Sequence, residues 1–116
     1  MRRQPMANTG FPPAVRAIIQ ERSGGLCERC GYVQGVEIHH RRPRGMGGTT
    51  RESTNTASNG VLLCVECHRW VESHRTDALL EGFLVLQIDS PLRAAIRYRR
   101  KYLYLDDVGN LVEKAA

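Results

Sequence analysis

The chain has 116 residues, which is enough for one domain with a modest hydrophobic core and leaves little room for a second. Residues 1–58 hold nine Arg and four Glu, and the rest of the chain is balanced, so the net charge of +5 lies in the first half and favours a polyanionic partner. A hydrophobic content of 41% excludes a disordered chain. No run approaches the roughly 20 apolar residues that cross a bilayer, and the N-terminus lacks a secretory pattern. We therefore expect a cytoplasmic protein without a membrane partner.

The first half of the chain predicts a helix, a strand and a long loop. Residues 1–11 are polar and basic, and we expect them to form a flexible arm. Pro12 and Pro13 open a segment with apolar residues at helical spacing, which predicts a helix over 13–22. Residues 36–41 alternate as a strand does. Residues 42–58 are rich in Gly, Thr, Ser and Arg, which predicts an exposed loop, and loops of this length are usually functional or disordered.

The second half predicts a strand at 61–63 that leads into one helix over 66–81. Gly82 ends that helix, and residues 83–86 are expected to form a further strand. Residues 97–112 predict an accessory β-hairpin. We therefore expect a single domain over 12–116, with its motif core at 27–75 and an accessory C-terminal segment at 82–116.

The four cysteines form two pairs with the same spacing, Cys27-x-x-Cys30 and Cys64-x-x-Cys67. Each pair supplies two thiolates from one turn, and two pairs complete the tetrahedral shell that zinc prefers. In a reducing compartment this arrangement is favoured over disulfides. Cys64 to His68 also spells the haem-attachment pattern, but the first pair has no histidine behind it and no export signal precedes it. The pairs therefore predict one structural Zn²⁺.

Three of the four histidines lie beside these elements. His39 and His40 are neighbours on the predicted strand, and His68 directly follows the last cysteine. Neighbouring side chains on a strand point to opposite faces, so His39 and His40 cannot fill the same role. This favours a division of labour in which one histidine binds a metal ion and the other acts on solvent or substrate.

The stretch from Cys27 to His68 contains the motifs CERC, EIHHRRPRGMGG, SNGVLLC and CVECH, with Asn59 five residues before Cys64. In these motifs the chain resembles the His-Asn-His (HNH) endonucleases of the ββα-metal fold. The run HHRRPRGMGGT and the C-terminal segments LEGFLV and YLYLDDVGN are similar to small HNH proteins of actinobacterial phages and prophages. The resemblance implies an α+β fold: a small zinc-stapled ββα-metal (His-Me finger) domain with an N-terminal helix and a C-terminal accessory β-hairpin.

The resemblance also implies roles for individual residues. His40 is expected to be the general base, and His39 and His68 are expected to be ligands of one catalytic divalent cation. Asn59 is expected to orient the base by holding the loop, although in relatives with Asp at position 39 this residue helps to bind the metal. A histidine at position 39 widens the choice of cation from Mg²⁺ toward Mn²⁺, Ni²⁺ or Zn²⁺. Four arginines around the expected centre are predicted to contact DNA phosphates: Arg41, Arg42, Arg44 and Arg51.

Together these features predict a metal-dependent HNH endonuclease that nicks or cuts DNA by hydrolysis. The reaction needs an activated water and a cation against the developing charge, which a neutral imidazole and one metal ion supply. The alternative is a catalytically silent zinc-dependent DNA-binding module, which has no need of His40. The resemblance further suggests a phage or prophage protein that acts in the bacterial cytoplasm, as a monomer or weak dimer, in genome packaging beside a terminase.

Overall fold

The computed structural model describes residues 10–43 and 52–113 and shows a small α+β fold. In chain order the elements are helix α1 (Pro13–Ser23), strand β1 (Glu37–His40), two short 3-10 helices (Glu52–Asn55 and Ala57–Asn59), strand β2 (Gly60–Leu63), helices α2 (Val65–Ser73) and α3 (Arg75–Leu80), and strands β3 (Ile96–Tyr98), β4 (Lys101–Leu105) and β5 (Leu111–Glu113). The predicted fold class is confirmed. Within the described residues no helix is both long and apolar enough to span a bilayer.

Strands β1 and β2 form an antiparallel hairpin that leads directly into α2, so that the unit has the predicted ββα order. Glu37 pairs with Leu63 at one end of the hairpin, and His40 pairs with Gly60 at the other. Strand β2 is buried along its whole length. The pairing therefore brings the end of β1, which carries His39 and His40, next to the segment that precedes β2.

Helix α1 packs on this hairpin and ends at Gly24, whose left-handed backbone (φ 66°) suits a glycine. Ile19 is fully buried in a cluster with Phe11 and Leu62. Phe11 was assigned to the flexible arm, yet only 2% of it is exposed, so the packed domain already includes Phe11. A Cβ at Gly60 would lie 2.6 Å from the Ile19 side chain, which shows how closely α1 approaches β2.

A buried ion pair joins α1 to the turn that carries the first cysteine pair. Arg22 donates from Nε and Nη2 to the two carboxylate oxygens of Glu28, each at 2.7 Å. Its remaining donors reach the backbone carbonyls of Ala57 and Gly60. Glu28 in turn accepts a hydrogen bond from the Leu62 amide at 2.9 Å. Because both charged groups are hydrogen-bonded, the pair can hold the helix, the cysteine turn and the hairpin in one arrangement. Loss of one partner lowers the free energy of unfolding by about 3–5 kcal/mol.

The C-terminal segment differs from the predicted accessory hairpin. Strands β3, β4 and β5 form a three-stranded antiparallel sheet, since a third strand follows the turn at 107–110. Side chains from this sheet belong to the main core together with β2 and α2; the shared cluster includes Val61, Leu63, Val71, Ile96, Leu103 and Leu105. The segment therefore contributes side chains to the main hydrophobic core.

Two other predictions about this half of the chain are wrong. The single helix over 66–81 is broken at His74, whose backbone leaves the helical region (φ −125°, ψ 58°). Residues 83–86 are described but form no strand. Their apolar side chains are nevertheless buried at Phe83, Leu84 and Val85, because the segment packs as irregular chain beneath α3 and bonds from the Val85 amide to the Arg41 carbonyl.

The segment before β2 also differs from the expected exposed loop. Residues 44–51 lie outside the described residues, but residues 52–59 form the two short 3-10 helices. Thr54, Ala57 and Ser58 are buried. Polar composition suggested exposure, whereas the backbone of this segment supplies carbonyls to buried arginines and therefore lies inside.

Candidate active site

The two cysteine pairs meet in one cluster, as their spacing predicts. The four Sγ atoms lie within 4.8 Å of one another. Cys27 and Cys30 occupy a tight turn that closes through a bond from the Gly31 amide to the Cys27 carbonyl. Cys64 precedes α2, and its Sγ accepts a hydrogen bond from the Cys67 amide at 3.4 Å. Three of the four are buried, and four sulfur ligands in a closed shell are typical of a structural zinc site.

The protein surroundings affect the thiols of this cluster differently. Burial raises the pKa of Cys67 to about 12, although Arg29 donates a hydrogen bond to its sulfur. Burial also acts to raise the pKa of Cys30, but the backbone amides of Tyr32 and Val33 bring it down to about 7. A divalent cation offsets the cost of burying thiolates, so this donor set fits Zn²⁺.

A second group of side chains lies in an open cleft of about 390 Å³ beside the hairpin. The cleft is lined by both histidines of β1 and by residues of α2 and α3. Its polar lining consists of Glu37, His39, His40, His68, Glu72 and Arg75. The structure thus brings the three histidines selected from the sequence to one place.

One ring nitrogen of His39 is hydrogen-bonded to the protein backbone. Its Nε2 lies 2.8 Å from the Phe83 carbonyl, which only accepts, so Nε2 carries the proton and Nδ1 the lone pair. Burial lowers the pKa of His39 to about 4, although the Phe83 carbonyl opposes this shift. The imidazole is therefore neutral near pH 7 and suited to ligate a cation, with a carbonyl orienting it from behind.

His68 and Glu72 complete a group with His39. They lie one turn apart on α2, and the ligand atoms of all three residues lie within 4.8 Å of one another. His68 Nε2 is 3.5 Å from the Glu72 carboxylate, and its Nδ1 is 3.3 Å from that of Glu37. The sequence analysis missed both carboxylates. For Glu72 a signal exists, since an acid four residues after a ligand histidine on a helix shares its face.

His40 is not a member of that group, although it lines the same cleft. Its Nε2 lies 2.8 Å from the Asn55 Oδ1, and its ring stacks on Phe11 with centroids 4.3 Å apart. The two neighbours on the strand therefore make different contacts. His39 faces the other ligand-type side chains, whereas an amide and an aromatic ring hold His40.

Asn59 is fully buried and bonds to the backbone at both ends of the preceding loop. Its Oδ1 accepts from the Arg42 amide at 2.7 Å, and its Nδ2 donates to the carbonyls of Arg42 and Thr54. This arrangement ties the chain after β1 to the chain before β2. Such a clamp is what the expected loop-holding role requires.

Arg41 lies in the interior, and the prediction that it contacts phosphate is wrong. The residue is fully buried, and its guanidinium donates to four backbone carbonyls, those of Ser58, Gly82, Pro91 and Ala94. Burial, with a contribution from the charge of Arg22, lowers the pKa of Arg41 to about 9. Its side chain joins the ββα unit to the irregular segment that follows α3 and so has a structural function.

The other predicted phosphate contacts are placed differently. Arg42 is only 5% exposed and donates to the Asp89 carbonyl and to the Ser53 hydroxyl, so it too bonds within the protein. Arg44 and Arg51 lie outside the described residues. Arg75, which the sequence analysis did not select, lines the cleft and lies 3.3 Å from the Glu72 carboxylate.

Comparisons with known proteins agree with this local picture. Residues 27–73 match the family described as HNH endonuclease. The chain is also 38% identical over 66 residues to the type IV methyl-directed restriction enzyme EcoKMcrA of Escherichia coli (strain K12). That alignment covers 49% of this chain and 22% of the enzyme, so the chain spans about a fifth of this relative. No solved structure is significantly similar to the chain.

Proposed function

We propose that this chain, whose residues 27–73 match the HNH endonuclease family, hydrolyses DNA phosphodiester bonds in a metal-dependent reaction. The observation that carries the proposal is one cleft holding a group of three ligand-type side chains, with a further histidine beside it that does not belong to the group. The similarity to a restriction enzyme supports DNA as the substrate.

The catalytic cation would be held by His39, His68 and Glu72. Two neutral imidazoles and one carboxylate suit Mn²⁺, Ni²⁺ or Zn²⁺ as well as Mg²⁺. When bound, the cation supplies positive charge against the negative charge that develops on the phosphate. Three protein ligands are the number typical of catalytic sites, which keep a position for substrate.

His40 would act as the general base. The neutral form of an imidazole carries a lone pair that can accept a proton. As the proton moves to the ring, the water oxygen bonds to phosphorus, the bond from phosphorus to the 3′ oxygen breaks, and that oxygen takes a proton from solvent. Asn59 would support this step by holding the loop that follows His40.

Arg75 is our proposed phosphate contact at the cleft. Its side chain is 57% exposed, and its pairing with Glu72 is a surface ion pair of small net stability. When Glu72 binds a cation, the guanidinium becomes available for a phosphate oxygen, which arginine binds well. Arg44 and Arg51 are proposed as further contacts.

The biological setting is a separate part of the proposal. The run HHRRPRGMGGT supports a phage or prophage origin, action in the host cytoplasm and a part in genome packaging beside a terminase. We expect the tagged protein to copurify with the terminase subunits of the same phage. Packaging that proceeds normally after deletion of the gene would contradict this role.

Conversion of supercoiled plasmid at about pH 7.5 tests the proposed activity, with Mg²⁺, Mn²⁺, Ni²⁺ or Zn²⁺ added separately. We expect nicking with at least one cation and a loss of about 10²–10⁴-fold in His40→Ala, the usual contribution of a general base. His74→Ala is the matched control, because His74 is an exposed histidine that bonds to Ser73 and Trp70. If no cation supports cleavage while the protein still binds DNA in a salt-sensitive manner, the silent DNA-binding module replaces the nuclease.

A further inference from the structure

A second asparagine, separate from the one in the motif, hydrogen-bonds to the His40 ring. Asn55 ends the first 3-10 helix, and its Oδ1 lies 2.8 Å from His40 Nε2. An amide oxygen only accepts hydrogen bonds, so Nε2 is the donor in this contact. In the neutral ring the lone pair able to take a proton is then on Nδ1.

The ring is also held on one face. Phe11 stacks on it at an interplanar angle of 21°, and Phe11 itself is buried in the cluster beneath α1. One edge and one face of the imidazole therefore contact side chains of the protein. This restricts the rotation of His40 and favours a single ring orientation.

The position of Asn55 is itself determined by the motif asparagine. The carbonyl of Thr54, the residue just before it, accepts a hydrogen bond from Asn59 Nδ2 at 2.8 Å. On the other side, the Thr56 hydroxyl donates to the Ser53 carbonyl at 3.0 Å. The contacts of Asn59 and Asn55 thus connect the motif asparagine to His40 through the short helix.

We infer that Asn55 is a positioning residue for the proposed nuclease reaction, which accepts the Nε2 hydrogen of His40 and so assigns proton acceptance to Nδ1. The inference rests on the proposed function. In the step, an O–H bond of water breaks and its proton goes to Nδ1. The water oxygen bonds to phosphorus, and the electron pair of the breaking bond stays on the 3′ oxygen, which takes a proton from solvent.

An amide suits this position better than a carboxylate would. A neutral acceptor orients the ring without placing a negative charge beside it, and such a charge favours the imidazolium over the neutral base. Among the described residues, the other charged or titratable groups along the cleft are Glu37 and His39 from β1, His68 and Glu72 from α2, and Arg75 from α3. They are unchanged in variants of residue 55, so a change of tautomer between such variants reports the Asn55 contact.

The test combines Asn55→Asp and Asn55→Ala with Asn110→Ala, which removes an amide from the β4–β5 turn instead. Long-range ¹H–¹⁵N NMR of the imidazoles, with His40 assigned by its loss in His40→Ala, reports the tautomer without any need for cleavage. We expect the Nε2-protonated tautomer in the wild type. Asn55→Asp keeps an oxygen acceptor and should keep this tautomer, whereas Asn55→Ala should lose the preference for it.

The kinetic readout is the rate of plasmid nicking, resolved into kcat and KM. Asn55→Ala should lower kcat about tenfold or more with little change in KM, because misorientation of a catalytic group affects the chemical step. Zinc content and melting temperature identify any variant that fails to fold, and the wild-type tautomer alone still tests the contact.

Distinct outcomes separate the two proposals. A wild-type His40 protonated on Nδ1, or an Asn55→Ala variant that keeps both the wild-type tautomer and the wild-type kcat, overturns the inference while the nuclease stands. Failure of the wild type to cleave with any cation overturns the proposed function and with it the catalytic meaning of the contact.

Discussion

The molecule carries two groups of metal-type side chains that share helix α2 but differ in exposure. Cys67 is 4% exposed and belongs to a cluster of four sulfurs, whereas the side chain of Glu72, little more than one turn later, is 54% exposed. Four soft ligands in a closed shell are typical of a structural site, and three mixed ligands at an open cleft are typical of a catalytic one. Ligand number and burial thus distinguish two sites that are nearly adjacent in the chain.

The comparison also shows how one site depends on the other. Cys64 and Cys67 lie at the start of α2, and the next residue is His68. Consecutive helical residues point about 100° apart, so sulfur ligation at Cys67 sets the direction in which His68 and Glu72 project. The cluster of four sulfurs, the closed group, therefore orients two of the three ligands of the open group, which consists of His39, His68 and Glu72. Perturbing each group in turn should produce different effects.

The largest effect is expected from Cys64→Ser, which breaks the closed group. Binding of structural zinc contributes on the order of 10 kcal/mol to small domains, comparable to their whole stability. We expect loss of zinc, measured by elemental analysis, together with loss of the cooperative melt followed by circular dichroism. An unchanged melt in a verified zinc-free variant would show that zinc does not stabilise the fold.

His68→Ala and Glu72→Gln break the open group and should leave the closed one intact. We expect each to weaken binding of the cleft cation about tenfold or more, because a three-ligand site loses a ligand. Calorimetric titration with Mn²⁺ or Ni²⁺ measures this, while zinc content and melting temperature serve as controls. Unaltered cation affinity in both variants would show that the cation binds elsewhere.

Burial of His39 predicts a pH dependence of stability. Its pKa is about 4 in the folded protein and near 6.5 in the unfolded chain, so the unfolded chain binds more protons between these values. This contribution is complete above pH 6.5 and is lost as the pH falls toward 4, by up to about 3 kcal/mol. The free energy of unfolding, measured by urea denaturation without added cation, should fall less steeply with decreasing pH for His39→Gln than for the wild type. The same pH dependence in the two proteins would show that His39 is not its origin.

The smallest effect is expected at the rim of the open cleft. Arg75→Ala should raise the KM for DNA several-fold and reduce the slope of log affinity against log salt by about one, with kcat nearly unchanged, because one phosphate contact is lost. Arg93→Ala is the control, since Arg93 is exposed and lines a different groove. Equal effects of the two substitutions would indicate only a general loss of positive charge.

Much of both groups could be predicted from local sequence, because the features involved are local. Two cysteines separated by two residues lie on one turn whatever the rest of the chain does. His39 and His40 must face opposite ways wherever they form a strand. The continuous helix over 66–81 was wrong because a break at His74 has no proline or glycine signal. The third strand of the last sheet and its contacts with the main core were not predicted, because short segments do not reveal what they pack against.

By itself, the sequence determined most of the helix and strand segments, the spacing of the two cysteine pairs and the three histidines of the cleft, since spacing and periodicity act over a few residues. Its motifs also carried the resemblance that implied the α+β class. Only the tertiary structure decided which charges are exposed. From the sequence, Arg41 was expected at the surface. In the structure, four carbonyls from residues 58, 82, 91 and 94 surround its guanidinium. The contact between Asn55 and His40 likewise depends on the path of the intervening chain. Burial and hydrogen bonding between distant segments depend on the whole packed chain, and no local pattern records them.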